Sequence, residues 1–367
     1  MHARARRRRW GWLAAAACIL SPLAGCRVLP GPGLVRTDSA LRGSLAADVR
    51  ASVDVRLPST PDPGPMVPAV VRPAPGGQGG PRVALVDVDG LILNQNLTGL
   101  YSAGENPVAA FREKLEAAAR DCRVRAVVVR INSPGGGVTA CDILAEELHR
   151  FRSSTGKPCV ACLMDVATGG ADYLAVGCDR IVAHPTALTG GVGAIVNHFN
   201  LQDAMAQLNV VADPIKAGAL VDMGSVTAPL PEAARVLLQA TADGFRDLFA
   251  ARVARRRPAM TDADRRAIAD GRVLPATRAL GLHLVDRLGY VDDAIAEAEA
   301  LAAAPGAEVV AYGRAGSPAR SIYAITPNVP VQGEVVPFSY PGLDRAKLPT
   351  FLFLWQPDPT VVRAGGR

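Results

Sequence analysis

Net charge is almost absent from this 367-residue chain once its first 25 residues are set aside. Those residues carry five Arg and no acidic residue, and without them 35 basic residues face 34 acidic ones. A surface that binds nucleic acid needs an excess of clustered positive charge. We therefore predict that the folded part of the chain has no nucleic-acid partner.

A second CxxC motif is missing, which limits what the single one can do. Cys159 and Cys162 lie in the apolar run "PCVACLMDV", which predicts a buried strand. Residues three apart on a strand point to opposite faces, so these two thiols cannot bind one metal ion. The five cysteines after Cys26 are an odd number and cannot all pair as disulfides. We predict packed core thiols, no metal site and no cofactor.

The first 25 residues have the composition of an export signal. The basic start "MHARARRRRW" precedes the apolar stretch "GWLAAAACILSPLAG", which is too short to span a bilayer comfortably. The stretch runs into "LAGC", and small residues before a cysteine resemble the lipobox of bacterial lipoproteins. This pattern predicts lipid on Cys26 and an exported protein anchored to a bacterial membrane, on its periplasmic or extracytoplasmic face. A simple secretory signal or a marginal membrane anchor is the alternative.

Proline and glycine predict the boundaries of the folded part. Between residues 58 and 81, eight of 24 residues are Pro and five are Gly, a composition that cannot bury a core. We predict a tether over 26–81, with one possible edge strand in "DVRASVDVRL", a domain over 82–312 and an irregular tail over 313–367. The short apolar segment "PTFLFLWQP" in the tail can dock on the domain, on a neighbouring subunit or on lipid.

Strands and helices alternate within the predicted domain. The runs "RVALVDVDG", "RAVVVRIN" and "PCVACLMDV" predict strands, and a helix with Asn106 as its cap separates the first two. This order favours an α/β fold with largely parallel pairing. A long helix with an apolar stripe follows, and the stripe consists of Val236, Leu237, Phe245, Leu248, Phe249 and Val253.

The stretch "RINSPGGGVTA" runs from a strand through glycines into a helix. Glycine removes the side chains that would block an oxygen atom from reaching backbone N–H groups. The amides of Gly135 and Gly136 can thus form an oxyanion hole, with the helix N-terminus adding favourable potential. A tight turn that binds no ligand is the competing interpretation.

Four separated blocks resemble the signal peptide peptidase SppA family. They are "VVVRINSPGGGVTA", "DVATGGADYLAVGCDRIVAHPTALTGGVGAI", "PIKAGALVDMGS" and "DGRVLPATRALGLHLVDRLGYVDDAI". The resemblance implies a ClpP/crotonase-like ββα spiral with mostly parallel sheets and surrounding helices. It also implies membrane association, ring-like oligomers and cleavage of signal peptides by a Ser nucleophile with a Lys general base. Gly135, Gly136 and Gly170 match oxyanion or peptide-binding positions.

The two catalytic positions of that family are substituted in this chain. Gly169 stands at the Ser position and Val221 at the Lys position, and neither side chain can attack a carbonyl or take a proton. Thr168 and Lys216 are the nearest substitutes, but each lies away from the required position.

The resemblance and these substitutions predict a scaffold that has kept the fold and lost the chemistry. Such a scaffold would bind extended peptides or signal peptides, or would form a homo-oligomer or a mixed ring with active relatives. The alternative is an active serine-type or Thr-based endopeptidase that degrades signal peptides or membrane proteins. An acyl-CoA enzyme of the crotonase type is a third class, against which the four blocks argue.

Overall fold

A computed structural model gives the fold of residues 34–41, 49–56, 64–77, 79–95, 97–99, 102–314 and 351–355. The chain divides into two compact units, residues 1–62 and residues 63–367, which are described separately. In the first unit, strand β1 (Leu34–Leu41) pairs antiparallel with β2 (Val49–Arg56). The strand predicted in "DVRASVDVRL" is therefore present, with a partner that the sequence did not reveal.

The second unit holds the other described elements. Its strands are β3 (Met66–Arg72), β4 (Arg82–Asp89), β5 (Leu97–Gly99), β6 (Ser102–Glu105), β7 (Val124–Ser133), β8 (Gly135–Gly137), β9 (Cys159–Thr168), β10 (Arg180–Ala183), β11 (Leu188–Gly190), β12 (Ile195–Val196), β13 (Val273–Pro275), β14 (Arg287–Leu288), β15 (Glu308–Arg314) and β16 (Phe351–Leu354). Its helices are α1 (Pro107–Arg120), α2 (Val138–Thr155), α3 (Gly170–Ala175), α4 (Gln202–Gln207), α5 (Glu232–Arg256), α6 (Asp262–Ile268), α7 (Ala276–Gly281) and α8 (Val291–Leu301).

A nine-stranded sheet forms the centre of this unit. Its main path runs β13-β11-β9-β7-β4-β15-β3, with β10 beside β9 and β14 beside β10. The inner strands pair parallel, and only the edge strands β3 and β13 pair antiparallel. Helices cover both faces of β4 and β7, so nearly all residues of these two strands are buried, whichever face they point to. The predicted α/β fold with mostly parallel pairing is confirmed.

Helices bury the two faces of the sheet. Helices α1, α2 and α3 pack on one face, in a cluster that includes Phe111 and Leu144, and α8 packs on the other through Ile295. Cys159 belongs to the first cluster and Cys162 to the second, and both are free buried thiols. The prediction that they point to opposite faces is therefore confirmed.

The predicted cap of α1 is present in the structure. The side-chain oxygen of Asn106 accepts hydrogen bonds from the backbone N–H groups of Val108 and Ala109, and Pro107 follows directly. The cap satisfies two amides that have no partner inside the helix. The stripe predicted on α5 is only partly buried, because Phe249 and Val253 are enclosed while other members are exposed. The exposed members are Val236, Leu237 and Leu248.

Two segments predicted to be irregular contain strands. Residues 66–72, assigned to the tether, form β3 and pair with β15, with Pro68 opposite Tyr312. Proline is tolerated there because β3 is an edge strand, so one side of its backbone needs no ladder partner. Residues 351–354 of the predicted irregular tail form β16. Both predictions were wrong at these residues, because nonlocal pairing outweighed a turn-rich composition.

The described residues contain no helix long and apolar enough to cross a bilayer. Within the same residues, no group of three or more His, Cys, Asp or Glu side chains is arranged to hold a metal ion. Cys26 and the predicted export signal lie outside the described residues. The lipid anchor therefore stays a prediction.

Candidate functional site

A sharp turn at Gly169 joins the end of β9 to the start of α3. Gly169 has φ 55° and ψ −122°, a backbone conformation that L side chains rarely adopt, and its N–H donates to the carbonyl oxygen of Gly190 at 2.8 Å. A strained strand-to-helix turn of this type presents a nucleophile in other hydrolases. The turn here has that shape without a side chain.

Thr168 is adjacent to the turn, but its hydroxyl is buried. The residue is fully enclosed, and its Oγ1 donates to the carbonyl oxygen of Pro134 at 3.3 Å. This bond links the end of β9 to the glycine-rich segment before α2. The hydroxyl of Thr168 thus has a structural partner on the inner side of the turn.

The glycine-rich strand β8 lies beside that turn. The N–H of Gly135 donates to Ser133 Oγ at 3.1 Å, and the N–H of Gly137 donates to the carbonyl oxygen of Ile92 at 3.0 Å. A Cβ atom on Gly135 would lie 2.8 Å from the amide nitrogen of Gly170. The structure therefore brings the predicted residues 135, 136, 169 and 170 together, but it commits the Gly135 amide to a neighbouring side chain.

Strand β16 lies directly across both glycine segments. It pairs antiparallel with β8, placing Phe353 opposite Gly136, and its other edge pairs with β12. The N–H of Trp355 donates to the carbonyl oxygen of Pro134 at 3.0 Å. Hydrogen-bonded pairs alternate along an antiparallel ladder, so Phe353 and Gly136 form the next pair that exchanges both backbone bonds. The Gly136 amide is thus turned toward the Phe353 carbonyl oxygen.

The side chain of Phe353 fills an aromatic pocket beneath the site. It is fully buried, and its ring centroid lies 5.4 Å from that of Tyr173 and 5.2 Å from that of Phe249. The ring centroid of Phe245 lies 6.5 Å from that of Phe353 and completes the pocket. Sequence reasoning missed this pocket because its members come from α3, α5 and the tail. The one available signal was the short apolar run "TFLFLW" between two prolines.

Lys216 and Val221 lie on an exposed segment. Lys216 Nζ pairs with Asp222 Oδ2 at 2.7 Å, and 69% of Val221 is accessible to solvent. The ion pair stays within the segment. The ammonium group of Lys216 is therefore paired with a neighbour six residues away in the same segment.

A buried carboxyl group lies in the first turn of α3. Asp172 is fully enclosed, accepts a hydrogen bond from Thr189 Oγ1 at 2.8 Å, and has no hydrogen-bond partner among the described residues for Oδ2. Burial raises the pKa of Asp172 to about 7, and the Thr189 hydrogen bond opposes the rise. The carboxyl group braces α3 against β11 and titrates near neutrality.

This titration predicts a pH-dependent stability. The folded carboxyl holds its proton up to about pH 7, whereas the unfolded one loses it near pH 4. The folded state thus binds more protons between these values, and the free energy of unfolding falls as pH rises. Relative to Asp172→Asn, the parent chain should lose up to about 4 kcal/mol from pH 4 to pH 7. Denaturant unfolding of both chains across this range measures the difference; a constant difference would contradict the assignment.

Sequence comparisons find similarity between part of this chain and a family of peptidases. Residues 151–304 match the model of peptidase family S49. Protease 4 of Salmonella typhi is 30% identical over 62% of this chain and 36% of that protein. A putative signal peptide peptidase SppA of Enterococcus faecium is 28% identical over 60% of this chain and 63% of its own length. The chain thus spans less than two thirds of these relatives.

Solved structures with a similar fold have low identity to this chain. A point mutant of a membrane-bound stomatin-specific protease is 12% identical, with a TM-score of 0.38 over 60% of this chain and 86% of its own. The sequence match thus relates residues 151–304, less than half of the chain, to peptidase family S49. Over about 60% of its length the chain is similar to protease 4 and to a putative SppA.

Proposed function

We propose that this chain is an SppA-like protein that binds extended peptides and does not cleave them. The proposal rests on the turn at Gly169, which has the conformation of a nucleophile-bearing turn although its central residue has no side chain. Peptide hydrolysis by this family's route needs a nucleophile and a base within hydrogen-bond reach. Gly169 supplies no hydroxyl, and Val221 supplies no amine.

The buried hydroxyl of Thr168 argues against a Thr-based mechanism. Its hydrogen bond to the Pro134 carbonyl fixes it on the inner side of the turn. Because Thr is β-branched, a rotation that freed the hydroxyl would also turn the methyl group against packed neighbours. The ammonium group of Lys216, which would have to act as its base, is paired with Asp222.

Binding of an extended peptide requires an accessible strand edge and a pocket for a side chain. Strand β8 supplies such an edge, and the pocket formed by Tyr173, Phe245 and Phe249 supplies an apolar site. In this structure β16 lies on that edge, between β8 and β12, and its Phe353 fills the pocket. Peptides with an aromatic or large aliphatic residue at the central position should therefore bind best. Signal peptides are rich in apolar residues.

We also propose that the chain assembles into a homo-oligomer or a mixed ring with active relatives. Exposed apolar side chains support this assembly. Several such residues lie between α4 and α5 and on the outer face of α5. They are Leu208, Val211, Ile215, Val221, Val236 and Leu237. A cluster of exposed apolar residues commonly marks a protein interface. Anchoring to the membrane through Cys26 would place this assembly at the bilayer.

A cleavage assay tests the proposal. The purified full chain should release no more fluorescence from labelled casein than buffer does, and Thr168→Ala should behave identically. An active SppA-like peptidase assayed in parallel serves as the positive control. Turnover by the parent chain that disappears in Thr168→Ala would overturn the proposal in favour of a Thr nucleophile.

A further inference from the structure

Strand β16 occupies the site in the manner of a bound peptide. It forms an antiparallel ladder with β8, the arrangement by which an extended ligand joins a sheet edge. We propose that residues 351–354 are a tethered ligand of this chain's own peptide groove, so that an external peptide must displace them. This inference rests on the proposed peptide-binding function and names the competitor at that site.

The backbone of β16 crosses the position where a nucleophile side chain would begin. A Cβ atom on Gly169 would lie 2.5 Å from the carbonyl oxygen of Phe353, 2.7 Å from its carbonyl carbon and 3.0 Å from the amide nitrogen of Leu354. All three atoms belong to the Phe353–Leu354 peptide group. The strand thus presents a peptide bond to Gly169 as a substrate would present its scissile bond.

Two glycines make this close approach possible. A Cβ atom on Gly135 would lie 1.9 Å from the same Phe353 carbonyl oxygen, and one on Gly169 would lie 2.5 Å from it. Distances below 3.0 Å are not tolerated without movement of the neighbouring backbone. The absence of a side chain at residue 169 and the presence of β16 are therefore coupled: the strand occupies space that a nucleophile would need.

The side chains of β16 define what kind of peptide competes with it. Leu352 and Phe353 are each at most 1% exposed, and Phe353 has aromatic neighbours from two helices. A competing peptide therefore needs an aromatic residue at the position of Phe353 and an apolar residue before it. A covalently linked strand acts at an effective concentration on the order of millimolar, so a free peptide binds weakly while the strand is docked.

Three chain lengths test the competition. The full chain, a chain ending after Trp355 and a chain ending after Thr350 are titrated with a fluorescent peptide of sequence LPTFLFLWQ, residues 348–356. The chain ending after Thr350 should bind at least ~10-fold more tightly than the other two. The chain ending after Trp355 is the matched control, because it loses the C-terminus but keeps β16. Measurable binding with the same affinity in all three chains would overturn the proposal.

Hydrogen exchange in the full chain tests docking without any added peptide. The amides of Phe353 and Trp355 should be protected, and Phe353→Asp should abolish that protection. Leu301→Asp, the same change at an exposed leucine on α8, should leave it intact. Unprotected amides in the parent chain would overturn the proposal, as would protection that vanishes on dilution, since the strand would then come from a second copy.

The two proposals fail in different ways. Cleavage of casein contradicts the loss of chemistry but leaves the exchange result standing. If no chain length binds the peptide while Phe353→Asp still removes protection, external peptide binding is wrong and the tethered strand is retained.

Discussion

Replacing Gly169 by Ala is expected to release β16 from the groove while the domain stays folded. The new Cβ would meet three backbone atoms of the Phe353–Leu354 peptide group within 3.0 Å, and they are its three nearest neighbours. Overpacking of this kind costs about 1–3 kcal/mol, or roughly 5- to 150-fold in the docking equilibrium. Exchange of the Phe353 amide should accelerate by that factor, and affinity for the peptide of residues 348–356 should rise.

Gly156→Ala is the matched control for this substitution. Gly156 also has a positive φ, 66°, but a Cβ atom there meets nothing within 4 Å. Gly156→Ala, in the αL region with ψ 5°, should lose about 1–2 kcal/mol of global stability from backbone strain. Gly169→Ala, with ψ −122°, should lose more. Only Gly169→Ala should change exchange in β16. Equal protection of Phe353 in the two variants would show that the strand does not depend on the missing side chain.

Local sequence signals were sufficient to predict the strands that form the framework of the site. The apolar runs predicted β4, β7 and β9, and because parallel strands align their ends, residues 133–137 and 168–170 had to meet at one edge. Glycine at residues 135 and 136 indicated that an oxygen atom could approach the backbone closely, although the motif did not say what approaches. The resemblance supplied the positions that a nucleophile and a base would occupy.

The occupant of the groove could not be predicted from sequence. Strand β16 pairs with β8 across a very long separation in the chain, and its four residues carry no turn or cap signal of their own. Its apolar composition fits a strand, a lipid contact or a subunit contact equally well. What distinguishes them is the aromatic pocket, whose residues come from α3 and α5 and meet only in the folded protein.

A buried ion pair that aligns the strands below the site could not be predicted from the sequence either. Arg130 Nε donates to Asp87 Oδ1 at 2.7 Å, and both side chains are at most 4% exposed. The residues face each other on β4 and β7, in the register that also aligns Asp89 with Asn132. In the sequence, each of these charged residues lies within an apolar run. A charge there can be buried only if it pairs with an opposite charge.

Asp87→Ala is expected to lower the free energy of unfolding by about 3–5 kcal/mol, because it leaves the guanidinium group of Arg130 buried without its carboxylate. The double variant Asp87→Leu with Arg130→Met should lose much less, since it removes both charges and keeps the volume. Denaturant unfolding of the parent, Asp87→Leu, Arg130→Met and the double variant completes the cycle. If the losses of the single variants simply add in the double variant, the pair is not coupled. The alignment of the strand ends beneath Gly135 would then rest on the apolar core alone.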